Sequence, residues 1–329
     1  MAIEIKEHEL LAPHTIYKIG GAARFFAEAK NRGELEEALR CAAEKRALFF
    51  IMGAGSNTLV SDQGFDGMVI RMIGGEIKID GERMIVDAGV MMARAASEAA
   101  RQGLAGFAWA IGVPGTMGGS VRGNAGCFGH EMRDVVESVQ VLKITNYKSQ
   151  ITNKSEIQKS NFQITELNSG ECEFGYRDSV FKRHPEWVIL SATLKLDKGD
   201  PATIQQEIRA MSAERAAKQD IGAKSCGCIF KNPSWPDAPG EKANLLARFP
   251  ELAPFAGRSE IPAAFLIDRA GLKGKRVGRI VVSDKHANFF INEGAGIAEE
   301  VQSLIAAAKN TVQEKYGITL HEEIHYLGF

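Results

Sequence analysis

The chain has 329 residues, enough for two domains or three small ones, with 45% hydrophobic and 25% charged residues as in ordinary globular proteins. A formal net charge of −1 excludes the strong field that steers a protein to nucleic acid or anionic lipid. There is no run of eighteen apolar residues, the opening MAIEIKEHEL is charged and lacks the apolar core of a signal peptide, and the five cysteines suit a reducing compartment; a cytoplasmic protein without membrane contact is expected.

In chain order, Asn31 with Glu34 three residues on predicts a capped helix that places Leu35, Ala38, Leu39 and Ala42 on one face. An apolar strand over 48–52 runs into Gly53-Ala54-Gly55-Ser56-Asn57. Strands are predicted over 67–72 and 84–88, then a helix over 91–102 ended by Gly103. A glycine-rich block over 112–129 precedes a strand over 138–144. Residues 145–172 are rich in Asn, Ser, Thr, Lys and Gln and read as a polar surface insertion or long loop, with at most one weak hairpin. After a strand over 187–196, Asp200 and Pro201 take the N-cap and N1 positions of a helix reaching Lys218, beside a domain boundary near 197–201. A helix over 261–270 with Ser259 as cap, strands over 279–283 and 288–292, and an amphipathic helix (Ile297, Val301, Leu304, Ile305, Ala308, Val312) ending at Gly317 lead to the tail ITLHEEIHYLGF.

Two stretches carry chemistry. The block GVPGTMGGSVRGNAGCFG holds seven glycines in eighteen residues, a density that no ordinary helix or strand uses. Each interior glycine costs roughly 0.5–1 kcal/mol relative to alanine, so the run needs a compensating use. A linker is the bland reading, but apolar residues flank the block on both sides, which favours bare backbone approaching a phosphate or a flat ring. The turn Gly53–Asn57 suits a pyrophosphate, or a plain strand–turn–strand. Thr58 stands where a Rossmann fingerprint needs its third glycine, and no Walker lysine follows. Two such loops about sixty residues apart suggest one long ligand held from two sides; a dinucleotide fits.

Eight motifs then occur in order: T-x-x-K-I-G-G (15–21), GAGSNTLVSDQGFDG (53–67), the block at 112–129, YRDSVF (176–181), CGCIFKNP (226–233), LIDRAGLKG (266–274), SDKHANFFIN (283–292) and LHEEIHYLG (320–328). With them the chain resembles the UDP-N-acetylenolpyruvoylglucosamine reductase family over nearly its whole length apart from 145–172. The resemblance implies an α+β chain with the FAD-binding fold of the vanillyl-alcohol oxidase type, whose two FAD-holding subdomains are followed by an α+β substrate-binding domain. Expected bounds are 1–66 and 67–198 for the subdomains, 199–318 for the substrate domain and 319–329 for a tail returning to the active site. No counterpart of the tyrosine-bearing substrate loop is seen, so the type without it is expected.

The same resemblance implies the site. Gly53, Ala54, Gly55, Ser56 and Asn57 would wrap the FAD pyrophosphate, with Gly112, Thr116, Gly118, Gly119, Asn124 and Ala125 on the pyrophosphate and flavin side. With Ser56 and Asn57 where some relatives of that fold carry a flavin-linking histidine, FAD would be non-covalent. Arg177, Glu323 and Cys228 fall on the catalytic positions, Cys228 in place of the usual serine proton donor. A thiol ionises near pH 8.5, far below an alcohol, so it is the better acid but also the easier one to lose as thiolate beside a cation such as Lys231. Lys218 and Asn232, and less directly Lys231 and His286, fall on positions that touch the substrate's diphosphate or sugar. NADPH would be co-substrate and UDP-N-acetylglucosamine enolpyruvate the substrate, on a monomer.

Without the motifs the same residues read more plainly. Arg177 would be an ion pair with Asp178, Glu323 a solvated neighbour of Glu322, His321 and His325 rim residues, and Cys226 and Cys228 small buried hydrophobes; no second Cys/His cluster gives them a metal partner set. Another FAD oxidase of the same fold, or a flavin-free nucleotide-sugar binder, are the rival functions.

Overall fold

A computed structural model describes residues 3–145 and 161–329. The backbone falls into two contact units that interleave along the chain. Unit 1 comprises Met1–Leu10, Ala22–Ser56 and Gly64–Ala217; unit 2 comprises Leu11–Gly21, Asn57–Gln63 and Lys218–Phe329.

Unit 1 contains two sheets. In the first, Ile5–Leu10 pairs antiparallel with Ala22–Ala29, which pairs parallel with Phe65–Met72, and Leu48–Met52 adds a further parallel edge. The helix Arg32–Glu44 covers this sheet with Leu35, Ala38, Leu39 and Ala42 buried, as its periodicity predicts. The Asn31 side chain caps it by accepting from Glu34 N–H at 3.0 Å, while the Glu34 carboxylate reaches back to the N–H of Lys30 rather than to that of Asn31. The second sheet is antiparallel throughout, in the order Asn161–Asn168, Val136–Thr145, Trp187–Lys195, Arg83–Asp87 and Ile77–Asp80. Leu142, Ile144, Val188 and Leu190 on one of its faces share a core with Phe25, Met68 and Ile70 of the first sheet.

Several expectations change. The polar stretch 145–172 is not all insertion: Asn161–Asn168 is a strand in full register with Val136–Thr145, and Cys172 is completely buried. Leu167 is buried in one core and Phe162 packs on another from the opposite face, while Gln163 and Thr165 share the face of Leu167 and Ile164 is exposed, so no clean two-residue alternation marks the strand. Residues 146–160 lie outside the described residues. The glycine block is not helix-free either, because Met117–Arg122 is a short helix. It tolerates two glycines because Thr116 caps it and Met117, Ser120 and Val121 are buried. The helix Pro201–Lys218, capped as expected by Asp200 Oδ2 on Thr203 N–H, buries Ile204 and Ile208 with Ala100 and Ala108. That packing joins 201–217 to unit 1, whereas the expected division fell after 198.

Unit 2 is built on a three-stranded antiparallel sheet, Arg276–Val277, Ile280–Val282 and Phe290–Asn292. The long helix Ala298–Tyr316 buries Val301, Leu304, Ile305, Ala308 and Val312 in the same core and ends at Gly317 with φ +69°. The helix predicted from 261 begins at Ala263, and Asn232 Oδ1 rather than Ser259 accepts from its first N–H, at 3.0 Å. The short strand Thr58–Val60 pairs parallel with His325–Leu327, so the tail is a structural strand of this unit.

Candidate active site

In unit 1 the two glycine-rich stretches meet. Ser56 Oγ donates to Pro114 O at 3.2 Å. A methyl group on Gly53 would lie 2.3 Å from Thr116 Oγ1, one on Gly115 2.8 Å from Ser56 Oγ, and one on Gly118 2.9 Å from the Ala88 side chain. Much of the glycine content therefore serves loop-on-loop packing. Main-chain donors are spent in the same way, since Met117 N–H and Gly118 N–H bond Val90 O and Ala88 O. Gly119 differs in space rather than in bonding: its N–H reaches the capping Thr116 Oγ1 at 3.5 Å, but it is exposed and the nearest atom to a methyl there is the same Oγ1 at 3.6 Å.

Gly53, Thr116, Gly118 and Gly119 border a cavity whose walls include Phe49, Ile51, Met72, Phe181, Trp187 and Ile189. Arg122 also lines it, and its Nη1 is buried without a hydrogen-bond partner among the described residues. Burial pulls this guanidinium below the ordinary arginine value, with the Asp178 carboxylate opposing. An apolar slot with a glycine loop and a guanidinium whose Nη1 is buried without an acceptor suits a ligand that combines a flat ring with phosphate, and FAD fits that description. The sequence carries a signal for Arg122, which is the single charge in the glycine-rich block. Gly112 is buried in this unit, with Arg215 Nη1 3.0 Å from where its methyl would be.

Arg177 sits at the tip of a tight hairpin in unit 1. Gly175 N–H bonds Asp178 O at 3.0 Å and Asp178 N–H returns to Gly175 O at 3.2 Å. Arg177 has φ +52°, and its Nη2 donates to Gly126 O at 3.3 Å. The Asp178 carboxylate accepts from Arg183 Nη1 at 2.7 Å. Asn124 is fully buried, its side-chain amide engaged by Glu131, Gly175 and the Arg133 N–H, so its side chain faces protein; Ala125 follows it, with its N–H on Ser120 O.

Unit 2 brings Cys228, Glu323 and Asn57 together. Glu323 N–H donates to Ile229 O at 2.8 Å, the residue next to Cys228, and Asn57 Nδ2 donates to Glu323 O at 3.2 Å. Cys228 and Glu323 are half-buried, whereas Cys226 is buried. Burial pushes the Cys226 thiol far up, and negative charge on Cys228 and Glu323 pushes it in the same direction. Glu322 is drawn to Lys309 Nζ at 2.9 Å. Lys218 is exposed at a helix end, His286 packs on the Phe289 ring with centroids 4.6 Å apart, and Asn232 caps a helix through its oxygen.

Cavity and loops suit a nucleotide cofactor, and residues 23–146 match a family described as FAD binding domain: the chain is an FAD-containing oxidoreductase with the vanillyl-alcohol-oxidase-type FAD fold. Residues 219–327 match the family described as UDP-N-acetylenolpyruvoylglucosamine reductase, C-terminal domain. The chain is 33% identical to the reductase of that name from Solibacter usitatus, with 97% of this chain and 95% of that one covered. It is 34% identical to the one from Lactobacillus helveticus, covering 99% and 96%. The crystal structure of UDP-N-acetylenolpyruvylglucosamine reductase from Thermus caldophilus is similar with a TM-score of 0.72, 30% identity and 99% of both chains covered. The chain belongs to the UDP-N-acetylenolpyruvoylglucosamine reductase family.

Proposed function

We propose that the chain reduces UDP-N-acetylglucosamine enolpyruvate to UDP-N-acetylmuramate, a step of peptidoglycan precursor synthesis, with NADPH as electron source. The observation that carries this reading is the presence on one chain of an FAD binding domain at 23–146 and the reductase C-terminal domain at 219–327. Bound FAD supplies the hydride for the enolpyruvyl double bond.

For the cofactor we assign the backbone of Gly53, Ala54, Gly55, Ser56 and Gly119 with the Arg122 guanidinium, as the groups bordering or leading into the apolar slot. Arg177 would hold the enolpyruvyl carboxylate with its planar fork of donors, steadying the charge that builds as the double bond is reduced. A carboxyl can stabilise that charge only in its protonated, donating form, which is the state Glu323 would need. Cys228 would break its S–H bond and give the proton to the carbanionic carbon, leaving a thiolate to be reprotonated before the next turnover. Lys218, Asn232 and His286 are assigned to the diphosphate and sugar; with Asn232 Oδ1 on Ala263 N–H, its contact would come from Nδ2.

A monomer in the cytoplasm completes the reading. All five cysteines are free thiols, and no helix among the described residues is long and apolar enough to cross a membrane. The deciding experiment bleaches the bound flavin with NADPH under anaerobic conditions and then adds the enolpyruvyl substrate. Return of the oxidised spectrum with formation of UDP-N-acetylmuramate is expected. Recovery only on admitting air overturns the reading in favour of an oxidase.

A further inference from the structure

We propose that Asn124 is a positioning residue for Arg177, acting on the hairpin that carries it rather than on the cofactor. The inference rests on the reading that Arg177 holds the substrate carboxylate.

Asn124 has no exposed surface and φ +42°, so it occupies the left-handed region that asparagine tolerates better than most residues. Its Nδ2 donates to Gly175 O at 2.8 Å and to Glu131 Oε2 at 2.7 Å, and its Oδ1 accepts from Arg133 N–H at 3.0 Å. One amide thus ties the glycine block to the segment 131–133 and to the first residue of the hairpin. Gly175 O also receives the Asp178 N–H that closes the turn, so the bond from Asn124 lands on the carbonyl that sets the hairpin's base.

The tip needs such support. Arg177 is a non-glycine residue at φ +52°, a conformation that persists only where its surroundings over-determine it. Two further ties converge there: Lys182 Nζ donates to Arg177 O at 2.6 Å, and Arg177 Nη2 reaches Gly126 O, two residues beyond Asn124. The Arg177 guanidinium and, through Gly175 O, the base of its hairpin are therefore both tied to the 124–126 segment, while Lys182 holds the Arg177 carbonyl independently. A guanidinium that must meet a carboxylate in two-pronged geometry loses its advantage when its backbone drifts, and a displacement of about 1 Å can cost on the order of 100-fold in rate.

Asn124→Gly is the discriminating variant, because glycine keeps the left-handed backbone and removes only the amide. In the FAD-loaded enzyme, NMR-detected hydrogen exchange at the Gly175 and Asp178 amides should quicken at least 10-fold. Reoxidation of reduced flavin by the enolpyruvyl substrate should slow about 10–100-fold, while the flavin dissociation constant and the rate of reduction by NADPH stay within about 2-fold. Lys182→Met, which removes an independent tie, should move the same two readouts in the same direction and serves if Asn124→Gly does not fold. Unchanged exchange overturns the proposal. Weakened flavin binding as the main effect also overturns it and makes Asn124 a cofactor ligand. Faster exchange with unchanged reoxidation overturns it when Arg177→Lys is slow. An Arg177→Lys enzyme as fast as wild type instead sinks the reading of Arg177 itself.

Discussion

The side-chain amide of Asn57 donates to the main-chain oxygen of Glu323 at 3.2 Å, and the N–H of His325 bonds back to Asn57 O at 2.9 Å. The turn that the sequence marks for the pyrophosphate therefore ends on a residue that holds the segment bearing the candidate catalytic carboxyl. Asn57→Ala should cost about 1 kcal/mol of stability, the ordinary worth of one such bond, by denaturant unfolding of the FAD-loaded protein. It should also slow the reaction of reduced flavin with the enolpyruvyl substrate more than the reduction by NADPH. An equal loss in both half-reactions would mean that Asn57 serves the cofactor alone.

Arg122 sets two stabilities against each other. Without ligand, a buried guanidinium lacking an acceptor at Nη1 is a cost; with an anionic ligand it becomes a charge-assisted contact. Arg122→Met should leave the FAD-free protein at least as stable as wild type while weakening FAD binding about 10–100-fold, read by fluorescence titration of the flavin. A destabilised FAD-free protein with unchanged flavin affinity would show that Arg122 is only structural.

What the sequence disclosed depended on how local each determinant is. The helix Arg32–Glu44 announces itself through an Asn–Glu cap and a four-residue apolar face, and Gly103 and Gly317 end their helices with φ +68° and +69°. The site motifs were equally plain. Hidden were features fixed by distant partners: the strand Thr58–Val60 exists because His325–Leu327 lies beside it, and Asn161–Asn168 because Val136–Thr145 offers a full ladder. The roles of individual site residues were hidden for the same reason. Asn124 and Asn57 fall in glycine-rich runs that invite a phosphate reading, yet their amides bond Gly175 and Glu323, dozens to hundreds of residues away.

The glycines of the block separate into two classes. Gly118→Ala puts a methyl 2.9 Å from the Ala88 Cβ, a backbone-anchored group that cannot swing aside, and should cost about 1–3 kcal/mol in unfolding free energy. At Gly119 the nearest atom is 3.6 Å away and the residue is helical, so Gly119→Ala should not destabilise the FAD-free fold. Any effect should appear in flavin affinity, since Gly119 borders the cavity. Equal destabilisation by both substitutions, measured by thermal unfolding without flavin, would contradict this division.

Thiol chemistry separates the cysteines by burial. Desolvation raises the Cys172 thiol to about 12, with Glu171 adding to it, and pushes Cys226 higher still. A raised thiol pKa keeps the sulfur protonated and poorly nucleophilic until the pH approaches that value. At pH 8 iodoacetamide should therefore leave Cys172 and Cys226 intact in the native protein, with peptide mass spectrometry finding the label on Cys228, which is half-buried, long before either. Blocking Cys228 removes the proposed proton donor, so loss of substrate reduction should track labelling at that residue while NADPH still bleaches the flavin. Cys228→Ser retains a donor that ionises far above a thiol, so it should resist the reagent and keep its activity to a higher pH than the wild type. An enzyme that stays fully active with Cys228 alkylated, or a Cys228→Ser profile identical to wild type through the alkaline range, would remove Cys228 from the proton-transfer step.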